Sequence, residues 1–136
     1  MTLRVSLVVP DGEVWSGRAR MVIAKTTREG DIGILTGHPP VLGLLAEASL
    51  VRILDPEDEG SESSGGRVVA AVSEGFLSVA DDRVSVLARQ AQLGSQVDTA
   101  AAESVISEAE PPPPGQPEPA EVRYSRALLR AAGERS

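Results

Sequence analysis

The chain has 136 residues and a formal net charge of −7 at pH 7. This length suits one domain with its own hydrophobic core, or one domain with an appendage. The acidic balance argues against a nucleic-acid partner, because such binding depends on Lys and Arg, and against a basic membrane patch. Since the sequence contains no Cys, disulfides, thiolate metal sites and cysteine nucleophiles are excluded.

The first two thirds of the chain predict a β domain. From Leu3 to about Ala88, short apolar runs alternate with polar residues at a period of two and are separated by turn residues, a pattern typical of a sandwich or barrel. Asp81-Asp82 predicts a tight hairpin between the last two strands. We therefore predict one β domain over residues 1–89.

An acidic stretch at 55–66 interrupts the β pattern. It consists mainly of Asp, Glu, Ser and Gly, a composition too polar to pack and too rich in Gly and Ser to hold one shape. We interpret it as a disordered, solvated hairpin tip that adds negative charge, and the sequence assigns it no function.

The composition changes after Ala88. Residues 90–97 are interpreted as a linker, and Asp98 is a predicted N-cap for a helix over 99–109. Prolines break the chain at 111–117, and a second helix is predicted over 118–132. Because neither helix of this segment, 98–136, has a wide apolar stripe, we expect the helices to dock on another surface or to move.

The sequence contains no recognisable catalytic or metal-binding constellation. His38 is its single His, so a His-rich metal site cannot be built, and neither a nucleophile elbow nor a phosphate loop is present. Paired carboxylates such as Asp81-Asp82 are adjacent in predicted turns, where we expect them to be solvated and unsuited to acid–base work. We therefore expect no catalytic residue, no metal and no cofactor, and a protein that acts by binding.

Three segments carry a family resemblance. Residues 30–42, GDIGILTGHPPVL, resemble the signature of bacterial ATP synthase epsilon subunits. Residues 7–17, LVVPDGEVWSG, are similar to the opening of that family, and residues 73–79 followed by 84–88 are similar to its last hairpin. The resemblance covers roughly residues 3–89, with the three motifs in the family's order.

The resemblance implies a mainly β chain, with an N-terminal β-sandwich of about ten strands followed by the short two-helix segment. It also implies a non-catalytic subunit in the central stalk of a proton-translocating F-type ATP synthase. Such a subunit binds the gamma subunit on one side and the c-subunit rotor ring in the membrane at its lower edge, and so couples ring rotation to ATP synthesis. It would be peripheral at the cytoplasmic face of the cell membrane, held there only through the complex.

The family's ring-facing position matches one loop of this sequence. The matching residues are Asp31, Gly33, Thr36, Gly37, His38 and Pro39. Simpler interpretations stay open, since Asp31 could merely begin a strand and His38 could be a turn residue without a partner. Trp15 is likewise interpreted either as core or as interface.

In many family members the C-terminal helices contact the alpha/beta catalytic head and block ATP hydrolysis, or bind ATP. Here Val97-Asp98 matches the start of the family's ATP motif, but Ala101 stands where the motif has a basic residue, which weakens the case for ATP binding. Arg126 and Arg130 lie one turn apart and offer a basic face to a nucleotide or to acidic residues of the beta subunit. They could equally serve only solubility at a helix end.

A rival interpretation makes the protein a free-standing β-sandwich adaptor. In that case the loop around His38 would grip a peptide or a carbohydrate, and the protein would be independent of ATP synthase.

Overall fold

The structure, a computed structural model, describes residues 2–56 and 66–134. In this part of the chain there are ten strands, a turn of 3-10 helix at Gly94–Gln96 and two helices. The strands are β1 Leu3–Val9, β2 Gly12–Ala19, β3 Met21–Thr26, β4 Gly30–Ile34, β5 Val41–Leu45, β6 Ser49–Leu54, β7 Arg67–Val72, β8 Gly75–Ala80, β9 Arg83–Ala88 and β10 Ala91–Leu93. The helices are α1 Thr99–Glu108 and α2 Ala120–Glu134. Most of the predicted acidic loop, residues 57–65, lies outside the described residues.

The strands form two layers that meet at a corner. One layer contains β10, β7, β6, β3 and β4, and the other contains β5, β8, β9, β1 and β2 in that order. Between the layers β3 and β5 share only the pair Thr26 and Leu45, so the sheet turns there. The predicted mainly β fold, a sandwich of about ten strands followed by two helices, is confirmed.

Alternation along the strands builds the core between the layers. In β1, Leu3, Val5 and Leu7 are fully or almost fully buried, whereas Arg4 is exposed, as the period of two requires. Trp15 belongs to the same core and is 9% exposed. Of its two interpretations the structure therefore supports core packing.

The hairpin between β8 and β9 has the predicted tight turn. Asp81 and Asp82 have φ angles of 51° and 59°. Positive φ at both central residues defines a type I′ turn, whose twist matches that of the flanking strands.

The range 90–97, which we expected to be a linker, is structured in part. Its residues Ala91–Leu93 form β10, which pairs antiparallel with β7, and the turn of 3-10 helix follows directly. All three side chains of β10 are half buried, so the sequence shows no alternation by which the strand could be recognised. The strand is stabilised by its pairing with β7.

The C-terminal segment packs back onto the sandwich. The loop 109–119 separates the helices at the proline cluster, and α2 lies on β6 and β7 with Ala127 and Ala131 buried against Leu50 and Ala71. Docking was one of the two outcomes expected for helices without wide apolar stripes. In the described part of the chain no helix is long and apolar enough to cross a membrane.

Candidate partner-binding surfaces

The turn between β4 and β5 holds four of the six residues predicted to face the ring, 36–39. Gly37 has a φ of 81°, a conformation that glycine adopts without a steric penalty. Its backbone N–H donates to Oδ1 of Asp82 at 2.7 Å, which ties this turn to the β8–β9 hairpin. Nδ1 of His38 lies 2.8 Å from the carbonyl oxygen of Pro39. The imidazole of His38 is therefore held against its own turn.

Asp31 and Gly33 lie apart from that turn. Asp31 sits at the start of β4, opposite Lys25 on β3, and about 10 Å of strand separates it from Ile34 at a rise of roughly 3.3 Å per residue. It is close enough to Arg52 to raise the pKa of that guanidinium, although less than Glu134 does. The six residues therefore do not form one surface.

Gly33 has a packing role in the structure. A Cβ at this position would overlap the terminal methyl group of Met21. The absence of a side chain at Gly33 thus leaves room for Met21 on the neighbouring strand.

A cleft of about 720 Å³ runs along one side of α2, where the helix meets the sheet, and is lined by Arg126 and Arg130. The Nε and Nη2 atoms of Arg126 donate to the two carboxylate oxygens of Glu118 at 2.8 and 2.7 Å. Arg130 donates from Nη2 to the carbonyl oxygen of Ala48 at 2.8 Å. The structure therefore brings both predicted arginines together, and each already has an intramolecular acceptor.

Asp98 does not line this cleft. Its carboxylate accepts from the backbone N–H of Ala101 at 3.0 Å and caps α1, as the sequence predicted. The carboxylate is thus engaged by the helix end, and Ala101 supplies a backbone donor where the family's motif has a cation.

Ion pairs hold α2 to the sheet at both ends. Arg52 on β6 donates from Nε and Nη2 to the two carboxylate oxygens of Glu134, each at 2.8 Å. That hydrogen bonding lowers the pKa of Glu134 from its ordinary value, and the bond from Arg126 lowers the pKa of Glu118 in the same way. Near the other end, Arg123 pairs with Glu47 at 2.5 Å.

An apolar row on the outer face of the second layer was missed by sequence reasoning. Leu44, Phe76, Leu87 and Val8 are direct neighbours across β5, β8, β9 and β1. The first three are half exposed, and Leu42, two residues from Leu44 on the same face, is 80% exposed. The row lines a depression of about 630 Å³.

A signal for this row was present in the sequence. The strands that carry it contain apolar pairs, Leu44-Leu45, Phe76-Leu77 and Val86-Leu87, where strict alternation would place a polar residue. Consecutive apolar residues in an antiparallel strand indicate that both faces are apolar. With one face in the core, the other must contact water or a partner.

Metal binding has no support in the described part of the chain. Residues 2–56 and 66–134 contain no group of three or more His, Asp or Glu side chains arranged to hold an ion.

Comparison with known proteins agrees with the geometry. Residues 2–94 match the family model described as the ATP synthase delta/epsilon chain, β-sandwich domain. Over 132 residues the chain is 46% identical to the ATP synthase epsilon chain of Thermobifida fusca, an alignment that covers 96% of this chain and 91% of the relative. The chain belongs to the ATP synthase epsilon family. The resemblance stated from three sequence motifs is thus confirmed.

Two further comparisons cover different shares of the chain. An epsilon chain of Frankia casuarinae is 46% identical over 93 residues, which are 68% of this chain but 99% of the relative, so that family member has room for little more than a sandwich. A chain in the structure of the Euglena gracilis mitochondrial ATP synthase, OSCP/F1/c-ring, superposes with a TM-score of 0.63 at 22% identity, covering 94% of this chain and 75% of the other. At that identity the likeness concerns the fold.

Proposed function

We propose that the chain acts in the central stalk of a proton-translocating F-type ATP synthase as a non-catalytic subunit. It binds the gamma subunit through its sandwich and transmits the rotation of the c-ring to ATP synthesis. The protein is then peripheral at the cytoplasmic face of the cell membrane and reaches the membrane only through the complex. Catalysis remains in the alpha and beta subunits.

The observation that carries this proposal is the uncovered apolar row on the second layer. Leu42, Leu44, Phe76 and Leu87 are at least half exposed and form the kind of contiguous apolar patch that marks a protein interface. The helix α2 covers the outer face of the other layer, so it leaves this row free. We assign the row to the gamma subunit.

The turn at 36–39 suits contact with the polar loops of the c-ring. Its backbone is tied to Asp82 through Gly37, which makes two neighbouring turns one unit. A contact that transmits torque benefits from such stiffness. Asp31 and Gly33 take part in this proposed contact only if the c-ring also contacts β4.

The C-terminal helices supply a second, regulatory part of the proposal. Arg126 and Arg130 now donate to acceptors within the chain. If α2 left the sheet, Arg130 would lose its acceptor on Ala48, and both arginines could then contact acidic residues of the catalytic head. We expect an assembled enzyme that lacks residues 98–136 to hydrolyse ATP faster than the enzyme with the full chain. An unchanged hydrolysis rate would remove the regulatory role and leave the coupling role intact.

The coupling role is tested by co-expressing the chain with the gamma subunit of the same organism. We expect the two to co-elute in size-exclusion chromatography, and we expect Leu44→Ser with Phe76→Ser to abolish co-elution. The matched control is Leu35→Ser, because Leu35 is 54% exposed but lies outside the row. Loss of binding only in the double variant supports the proposal.

Two other outcomes contradict it. If the wild-type chain does not bind gamma, the adaptor interpretation replaces the stalk role. If Asp31→Ala or His38→Ala abolishes gamma binding, the substituted residue faces gamma and its proposed contact with the c-ring is wrong.

A further inference from the structure

Three arginines lie side by side on the same outer face as the apolar row. Arg4 on β1 is paired in register with Arg18 on β2 and with Arg83 on β9, and all three are exposed. Directly opposed residues on neighbouring strands have Cβ atoms about 4.5–5.5 Å apart. The arginine row, Arg18–Arg4–Arg83, therefore places three positive charges on a line about 10 Å long.

The arginine row forms no ion pair in the described part of the chain, although Glu13 lines the same depression as the three arginines. Within residues 2–56 and 66–134, none of its guanidinium groups has a carboxylate within 4.0 Å, whereas Arg52 beneath α2 and Arg123 and Arg126 on α2 each have one. The nearby Asp82 uses Oδ1 for Gly37. Like charges directly opposite each other destabilise a sheet, so this arrangement costs folding stability.

A shortage of acidic residues cannot explain the arrangement. The chain has 20 Asp and Glu against 13 Lys and Arg. A row of unpaired cations in an acidic protein indicates that the counter-charge comes from another molecule.

Along the strands, the outer face of the second layer changes from positively charged to polar and then to apolar. Two residues from the arginine row, Ser16, Ser6, Ser85 and Ser78 are neighbours across β2, β1, β9 and β8. Two residues further lies the apolar row. At roughly 3.3 Å per residue, about 13 Å separates the cationic row from the apolar row. A partner that covers the whole face must be acidic at one end and apolar at the other.

We propose that the arginine row docks an acidic segment of the gamma subunit and thereby fixes the direction in which gamma lies on the sandwich. This inference rests on the proposed stalk function, because gamma is the partner assigned to the apolar row. Carboxylates bind guanidinium groups through paired, charge-assisted hydrogen bonds. The apolar row supplies contact area, and the arginine row supplies orientation and a faster, salt-sensitive association.

The test compares two double charge reversals in the full-length chain. Arg4→Glu with Arg83→Glu changes the proposed site, and Arg20→Glu with Arg28→Glu is the matched control, because both control residues are exposed and lie outside the arginine row. We expect the first variant to weaken gamma binding by about 100-fold or more, as truncation of interfacial charges does, and the control to change it by less than about threefold. Affinity is measured by titration calorimetry at several salt concentrations.

A neutral variant separates binding from folding. Arg4→Gln with Arg83→Gln removes like-charge repulsion, so we expect its free energy of unfolding to equal or exceed that of the wild type while its gamma binding weakens and depends less on salt. A purely structural role of the arginines would instead lower the stability.

Each of the other outcomes contradicts either the stalk proposal or the proposed role of the arginine row. If wild-type protein fails to bind gamma, the stalk proposal itself fails. If wild-type protein binds and both arginine variants bind equally well with the same salt dependence, the arginine row is not the docking site. If the variants keep gamma binding but lose the wild type's binding to vesicles of anionic phospholipid, the row belongs to a membrane surface and the inference is wrong.

Discussion

The two outer faces of the sandwich differ in what covers them. On the first layer, β7 is buried on both sides, since Ala70 and Val72 face the core while Val69 and Ala71 face α2. On the second layer, Phe76 and Leu87 stay half exposed although they occupy the equivalent outward position. The covered face should therefore contribute to folding, and the uncovered face to association.

The chemistry of the two faces supports this division. Beneath α2, small residues allow close approach and ion pairs fix the helix at both ends. On the uncovered face, Arg4, Arg18 and Arg83 form no ion pair with any residue that the structure describes, and the apolar side chains are large. A sheet that had to satisfy only itself would not need either feature.

The largest expected contrast comes from the same substitution on each face. Leu50 under α2 is 6% exposed, whereas Leu42 on the uncovered face is 80% exposed. Leu50→Ala should lower the free energy of unfolding by about 2–5 kcal/mol, and Leu42→Ala should change it by less than about 0.5 kcal/mol. Urea unfolding followed by the fluorescence of Trp15 measures both, and equal losses would contradict the comparison.

A glycine pair tests the docking of α2 directly. A Cβ on Gly94 would collide with the backbone of Ala131, so Gly94→Ala should weaken docking by about 1–3 kcal/mol. Gly133→Ala, where nothing lies within 4 Å of the added atom, should slightly stabilise the helix. Hydrogen exchange should show faster exchange of α2 amides in the first variant only, with the sandwich amides unchanged. Faster exchange throughout the sandwich would mean that helix and sheet unfold as one unit.

Ion pairs should contribute less than packing. Arg52→Gln removes the two-point contact with Glu134 and should weaken α2 docking by about 1 kcal/mol at most, less at high salt. Arg89→Gln is the control, because its pair with Glu74 is far more exposed. Hydrogen exchange of α2 at two salt concentrations measures the effect, and a larger loss for Arg89→Gln would refute the assignment.

The pH dependence of docking should be the smallest effect. The hydrogen bond from Arg52 holds the pKa of Glu134 below its ordinary value of 4.5. Such a carboxyl stabilises the docked state fully above that value, and the stabilisation is lost as the pH falls through the lower folded-state pKa. On acidification below about 4.5, α2 amides should therefore exchange faster before Trp15 fluorescence changes, and Glu134→Gln should reduce this difference. Simultaneous changes in both signals would contradict it.

Much of the fold was predictable because it depends on local pattern. The alternation in β1 and the Asp81-Asp82 turn each follow from the order of side chains along the chain. The N-cap at Asp98 involves only the backbone N–H of Ala101, three positions further along the chain. The strand β10 was missed because Ala91–Leu93 has a structure only through its pairing with β7.

The candidate surfaces were less predictable because they depend on register between distant strands. Arg4 and Arg83 become neighbours only through the pairing of β1 with β9, which no local pattern indicates. Asp31 and His38 are close in sequence, yet β4 carries them to different ends of the strand. A motif read as one unit can thus be divided by an extended strand.

The parallel pairing of β1 with β9 has a consequence for the order of folding. Arg4 and Arg83 lie beside each other, and nearly all of the sandwich sequence lies between them. The loop that must close for this pair is long, and such non-local pairs form slowly. During synthesis the second layer cannot close until β9 has left the ribosome, and α2 follows β9 in the chain. The hairpin of β1 and β2 must therefore wait for a strand near the end of the sandwich before its open edge is paired.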